Sequence, residues 1–178
     1  SGQPISAALK DVERYGLPDD GIINIEGGFF EENILIGDFS NLKLRGAANG
    51  EATTLAGNIS IIHSQSISLL DFTFLKPIII EDSTDITISG TSQNDQIELS
   101  LIGTSQVDIQ TGDGNDEVVV HGSHGDLDVD TGAQDDVLIL DFVLDNNSAD
   151  AVIAYDGGED FDSLEIQGGG FQRVIYGA

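Results

Sequence analysis

The chain has 178 residues, of which 39% are apolar, and carries 32 acidic against 6 basic side chains for a formal charge of −26 at pH 7. Enough apolar matter is present for a core, which excludes a disordered tail, and the charge excludes nucleic acid and anionic membrane surfaces as partners while favouring cations. With no Cys, Met or Trp, a disulfide framework, thiol chemistry and a cysteine zinc site are excluded as well.

No apolar run approaches the ~20 residues of a membrane span, no signal peptide is visible, and Ser1-Gly2 reads as a processed or excised start. Pro4 to Tyr15 is predicted to be a short amphipathic helix. Ile5, Ala8, Leu9 and Val12 share a face, Ser6 is placed to cap, and Gly16 with Pro18 ends it. Tyr15 is expected beneath the helix.

After Asp19-Asp20-Gly21 the pattern changes to brief runs of Ile, Leu and Val separated by Gly, Asn, Asp and Ser, read as strand and turn to the end. Two ladders recur. One runs Leu42/Leu44, Ile67/Leu69, Ile86/Ile88, Val107/Ile109, Leu127/Val129 and Val152/Ala154, with offsets of 25, 19, 21, 20 and 25. The other runs Ile34/Ile36, Ile59/Ile61, Ile78/Ile80, Ile97/Leu99, Val118/Val120, Leu138/Leu140 and Leu164/Ile166, with offsets of 25, 19, 19, 21, 20 and 26. Val137 to Leu140 is apolar throughout, so its phase stays open.

A fixed period of this size marks a solenoid, whose coils bury their apolar faces only by stacking. Each coil contributes at least two strands, and about seven coils at ~4.8 Å each predict a rod on the order of 34 Å long. Lys43, Ser68, Thr87, Asp108 and Asp128 fall between inward positions and line an outer face. The long offsets are standard coils carrying surface loops at Ala47 to Thr54 and Asp141 to Asp150.

The period repeats a turn as well. Val107-Asp108-Ile109-Gln110-Thr111-Gly112 aligns with Leu127-Asp128-Val129-Asp130-Thr131-Gly132, and each copy leads into an acidic, glycine-containing turn, Gly112-Asp113-Gly114-Asn115-Asp116 or Gly132-Ala133-Gln134-Asp135-Asp136. Calcium takes six to eight hard oxygens, which turn carbonyls and carboxylates can supply. Asp113 and Asp116 of one coil are expected to face Asp135 and Asp136 of the next, and these to reach Asp160 and Asp162 after Gly157. Asp95, in the turn from Gly90, is the weakest match. The alternative is that Asp, Asn and Gly are present as ordinary turn formers. His63, His121 and His124 read as surface residues, and no phosphate-binding loop occurs.

Two family resemblances follow from quoted residues. Ser6 to Leu9, then Gly21-Ile22-Ile23-Asn24-Ile25-Glu26-Gly27-Gly28-Phe29-Phe30-Glu31-Glu32-Asn33-Ile34 and Asn41-Leu42-Lys43-Leu44-Arg45-Gly46, resemble the start of the pectin-lyase-like right-handed parallel β-helices. Thr111 to Val119, Thr131 to Ile139 and Gly157 to Glu165 resemble RTX-like calcium repeats. Here one motif occurs per coil of about 20 residues, not two, which fits a wider β-helix with RTX-like chemistry on one edge.

The resemblances imply an all-β, right-handed parallel β-helix in one domain over 1–178. Residues 1–21 form its N-terminal capping α-helix, 22–102 its plain coils and 103–178 its calcium-turn coils. Gly112, Asp113, Gly114, Asp116, Gly132, Asp135, Asp136, Gly157, Asp160, Asp162 and Asp95 are the expected Ca2+ site. A lyase or glycosidase would need a cationic base or clustered carboxylates on a binding face; Lys43, Arg45 and Lys76 are too few, so no enzyme is expected. A carbohydrate-binding or polysaccharide-lyase-like role is the alternative. Phe142, Phe161, Phe171 and Tyr176 are its candidate exposed aromatics, with Phe72 and Phe74 assigned to the core. The favoured function is a secreted or cell-surface structural or adhesive module that binds calcium, with head-to-tail homo-oligomers or filaments and glycans as possible partners.

Overall fold

The structure, a computed structural model, describes residues 4–16, 21–47, 51–142, 152–168 and 173–177, with backbone alone for 105, 123, 124, 173, 174 and 177. Among these, parallel strands wind into a β-solenoid of about 6 turns preceded by one short helix. Every strand pairing described is parallel.

Helix α1 (Ile5–Tyr15) closes the first coil by burying Ile5 and Leu9. Its free N–H groups are satisfied across the fold and not by Ser6. Ile5 N donates to Glu32 Oε1 at 2.6 Å and Ser6 N to Glu32 Oε2 at 2.9 Å, which sets a carboxylate at the positive end of the helix dipole. Tyr15 is corrected to the surface, 74% exposed with the Arg14 guanidinium 5.2 Å from its ring centroid. Six positions beyond Leu9, the helix has rotated its side chain off the buried stripe.

The first ladder stacks β1 (Ile22–Asn24), β4 (Lys43–Arg45), β7 (Gln65–Leu70), β10 (Thr84–Ser89), the second halves of β11 (Gln96–Gln110) and β12 (Glu117–Asp130), β14 (Val152–Asp156) and β16 (Arg173–Gly177). The second stacks β3 (Ile34–Gly37), β6 (Ile59–Ile62), β9 (Ile78–Glu81), the first halves of β11 and β12, β13 (Val137–Phe142) and β15 (Ser163–Gly168). Because β11 and β12 continue around the corner, the two ladders join as one 13-stranded sheet. A third side, not foreseen, carries β2 (Gly28–Phe30), β5 (Thr53–Leu55) and β8 (Phe72–Phe74) as a 3-stranded sheet. The loop expected over Ala47 to Thr54 therefore ends in a strand, while most of Asp141 to Asp150 lies outside the described residues.

Two ladder registers shift. Ile78 pairs with Leu99 and Ile80 with Leu101, not with Ile97 and Leu99. A strand shifted by two keeps the same face inward, and Ile97, Leu99 and Leu101 are all buried, so periodicity alone could not choose. Leu127 pairs with Ile153 and Val129 with Tyr155, one residue later than expected. The run Val152-Ile153-Ala154 is apolar in both phases, and burying the Tyr155 ring decides between them. In β13, Leu138 and Leu140 point inward, which closes the phase left open. Phe142 is corrected to the core at 1% exposure, while Phe72 and Phe74 lie there as expected.

Candidate functional site

The side of the solenoid that carries β2, β5 and β8 changes character after Phe74. In later coils the third strand gives way to four stacked turns, from Gly90 to Asp95, Thr111 to Asp116, Thr131 to Asp136 and Gly157 to Asp162. Isolated parallel bridges Asp113↔Ala133 and Ala133↔Glu159 fix the alignment of the last three. Ala133 N donates to Gly112 O at 3.1 Å and Gly114 N to Ala133 O at 3.2 Å. The turns are glycine-dependent because the coils nearly touch: at Gly132, φ is +90° and a Cβ would lie 2.0 Å from Gly112 O.

On this alignment Asp95, Asp116, Asp136 and Asp162 form one rung. The carboxylates of Asp116, Asp136 and Asp162 each reach back to cap the preceding coil. Asp95 N donates to Asp116 Oδ1 at 2.7 Å, Asp116 N to Asp136 Oδ1 at 2.8 Å and Asp136 N to Asp162 Oδ1 at 3.2 Å. Asp116 and Asp136 are 2% and 1% exposed, so these side chains lie within the wall.

The second carboxylate oxygens fare differently along the rung. Asp95 Oδ2 accepts from Thr91 N and, at 3.1 Å, from Thr91 Oγ1. It fits because position 90 is glycine: a Cβ there would lie 2.5 Å from Asp95 Oδ2, and one on Gly157 would lie 2.4 Å from Asp162 Oδ2. The two middle coils have Thr111 and Thr131 at the equivalent place. Thr111 Oγ1 donates to Thr131 O at 2.9 Å, and Thr131 Oγ1 lies 3.4 Å from Tyr155 Oη. Both hydroxyls favour the charged form of the nearby Asp, yet the Thr111 hydrogen is already committed, and Asp116 Oδ2 and Asp136 Oδ2 remain buried with no hydrogen-bond partner. Desolvation by burial, with repulsion from Asp116 and Asp162, pushes the Asp136 carboxyl up to about 6. Burial likewise raises Asp116 and Asp95, and it pushes the Tyr155 phenol up to about 12.

The other expected ligands do not join this rung. Asp113, Asp135 and Asp160 are exposed and, on the bridge alignment, fall on three different rungs. Asp135 Oδ1 accepts from Phe161 N at 3.1 Å. The expected face-to-face clustering of Asp113 and Asp116 with Asp135 and Asp136 is thus divided between outside and inside of the wall. Among the described residues no group of three or more His, Asp or Glu side chains converges as a metal cage. The donor type that a hard cation takes is present in Asp116 Oδ2 and Asp136 Oδ2, two partnerless carboxylate oxygens in consecutive coils. Asp116 and Asp136 would hold it, with the remaining ligands drawn from hydroxyls, backbone or water.

Two features escaped the sequence reading. At the corner between the second and first ladders, Ser64, Ser83 and Thr104 are buried and hydrogen-bonded. Ser64 Oγ accepts from Phe39 N at 3.1 Å and donates to Ile62 O at 2.9 Å, Ser83 Oγ accepts from Ser64 N at 3.0 Å and donates to Glu81 O at 2.8 Å, and Thr104 Oγ1 donates to Ile80 O at 3.1 Å. Outside that corner, His121 lies 3.2 Å from both Glu98 and Asp141, and His63 lies 4.0 Å from Asp38 and 3.6 Å from Asp82. The hydroxyl stack, His63 with Asp38 and Asp82, and His121 with Asp141 obey the coil offsets, which was the available signal; Glu98 reaches His121 diagonally from 23 positions away.

The first outer face is acidic: Asp108 stands beside Asp128, and burial followed by the charge of Asp128 raises its carboxyl. A shallow groove near the first turn, lined by Asp71, Ser89, Thr91, Gln93, Gln110 and Asp113, contains no aromatic side chain on which a sugar could stack. Of the candidate aromatics, Phe161 and Tyr176 are exposed at 88% and 47%, and Phe171 lies outside the described residues. No protein-family profile, curated protein or solved structure matches the chain.

Proposed function

We propose that the chain is a structural solenoid module, secreted or displayed on a cell surface, whose acidic turns take up calcium between coils. The observation that supports it is the pair Asp116 Oδ2 and Asp136 Oδ2, buried in consecutive coils with no donor. A buried carboxylate oxygen without a partner is costly, and a cation set between coils relieves both oxygens together. The RTX-like spacing of the turns agrees with this reading, as does a charge of −26. Extracellular calcium modules work at dissociation constants of roughly 10⁻⁴–10⁻³ M, a range suited to a site with few protein carboxylates.

The test is thermal unfolding in millimolar calcium against excess chelator. At such affinities millimolar calcium reaches about 10 times Kd at most, where binding to the folded state alone stabilises by about 1.4 kcal/mol, or on the order of 3–6 °C in Tm for a domain of this size. Replacing Asp116 and Asp136 with Asn abolishes most of the shift. An identical Tm in calcium and chelator rejects the reading.

A further inference from the structure

The turns that begin at Thr111, Thr131 and Gly157 follow one backbone path. Their second residues, Gly112, Gly132 and Gly158, have φ of +100°, +90° and +79°, and their fourth, Gly114, Gln134 and Asp160, have φ of +136°, +86° and +90°. With the backbone alike, the surroundings of each rung aspartate differ at the first residue of its turn. Gly157 leaves room for the Asp162 carboxylate to lean over it, and a Cβ there would lie 2.4 Å from Oδ2. The turn from Gly90 takes another path, without a positive φ, and reaches the same end: Asp95 Oδ2 lies 2.5 Å from where a Cβ would stand and accepts from both donors of Thr91. Thr111 and Thr131 fill that space with a branched side chain, 2% and 0% exposed. Among the described residues, Asp116 Oδ2 and Asp136 Oδ2 are the buried oxygens that end without a donor.

We propose, on the calcium reading given above, that Thr111 and Thr131 are the residues that make the rung take a cation, and that they do so by their bulk. They are positioning residues: each denies its aspartate the space over the turn and so leaves an anionic oxygen for an ion. Equivalent atoms of adjacent coils stand about 4.8 Å apart, which is also the span of two oxygens held at about 2.3–2.6 Å on opposite sides of one calcium ion. The ion therefore lies between the two middle coils. Asp95 and Asp162, each folded over a glycine, take no part in holding it.

The experiment melts the whole chain in millimolar calcium and in excess chelator. Thr111→Gly with Thr131→Gly removes the bulk but keeps every carboxylate and the net charge, so general screening by calcium is unchanged. This pair loses most of the rise in Tm that calcium gives the parent, on the order of 3–6 °C. Thr111→Val with Thr131→Val keeps the branched bulk without the hydroxyls and retains the rise, which separates blocking from ligation by the hydroxyl oxygens. Gly90→Thr, at a position without positive φ, extends the same block to Asp95 and lowers Tm more in chelator than in calcium; it decides the matter should the glycine pair not fold. No rise in the parent rejects the calcium reading and this role together. A parent rise that the glycine pair keeps, that the valine pair loses, or that Gly90→Thr leaves unchanged overturns the role of the threonines alone.

Discussion

The solenoid seals two of its edges with buried polar side chains, and the two stacks obey different chemistry. At one corner Ser64, Ser83 and Thr104 each use a hydroxyl, which both donates and accepts. Such a stack satisfies itself with no outside help. At the other edge Asp95, Asp116, Asp136 and Asp162 use carboxylates, which only accept when ionised. Each of the middle coils offers one N–H for two oxygens, and Thr111 and Thr131 deny them the folded-over position that Asp95 takes above Gly90. The hydroxyl edge is complete as built, while the aspartate edge leaves two buried oxygens without a donor, which on the reading proposed above a cation or a proton completes. The comparison teaches that regular backbone stacking does not make a solenoid uniform; one side-chain atom type makes an edge indifferent to solution conditions or dependent on them.

The largest effect expected is at the backbone of the aspartate edge. Gly132→Ala puts a Cβ against Gly112 O at a positive φ and costs at least about 2 kcal/mol, read as a lower midpoint in urea with or without calcium. An unchanged midpoint would mean that the turns do not stack as closely as described.

Next comes the paired substitution that separates the two edges. Ser64→Ala strands the N–H of Phe39 and costs about 1–3 kcal/mol, equally in calcium, in chelator and at any pH between 5 and 8. Asp136→Asn keeps an acceptor for Asp116 N and removes the buried charge, so in chelator it leaves Tm level or raised, and in calcium it lies below the parent. Equal responses of the two variants to calcium would erase the distinction between the edges.

The smallest effect is the proton's. The Asp136 carboxyl is raised from 3.8 to about 6, with Asp116 and Asp95 raised in the same direction. A folded-state value above the unfolded one means that the stabilisation is complete below pH 3.8 and is lost as pH rises through about 6. In chelator, melting at pH 5 therefore occurs at a higher temperature than at pH 7.5, and Asp136→Asn reduces the difference. A parent and variant with the same pH slope would show that Asp136 takes no part.

Much of this was legible in the chain. The isoleucine and leucine ladders spelled out a parallel solenoid because stacking places like residues at a constant offset. The recurrence of Asp116 and Asp136 identified the rung where the partnerless oxygens lie. The same offsets also linked Ser64 to Ser83 and Asp38 to His63, but a serine or histidine in a turn has many ordinary explanations. Other features had no local signature: Glu32 caps a helix whose first residue lies 27 positions earlier.

What the sequence determined by itself was thus the period, the inward apolar phase and the glycine-acid turns, since each is a repeat of local chemistry. Only the tertiary structure decided the two-residue slip from Ile97 to Leu99, because a strand's faces look alike after two residues. It alone divided the carboxylates, with Asp116 and Asp136 inside the wall and Asp113, Asp135 and Asp160 outside. Which oxygens lose water, and which find a donor, depends on the coil above and the coil below, and no single turn contains that information.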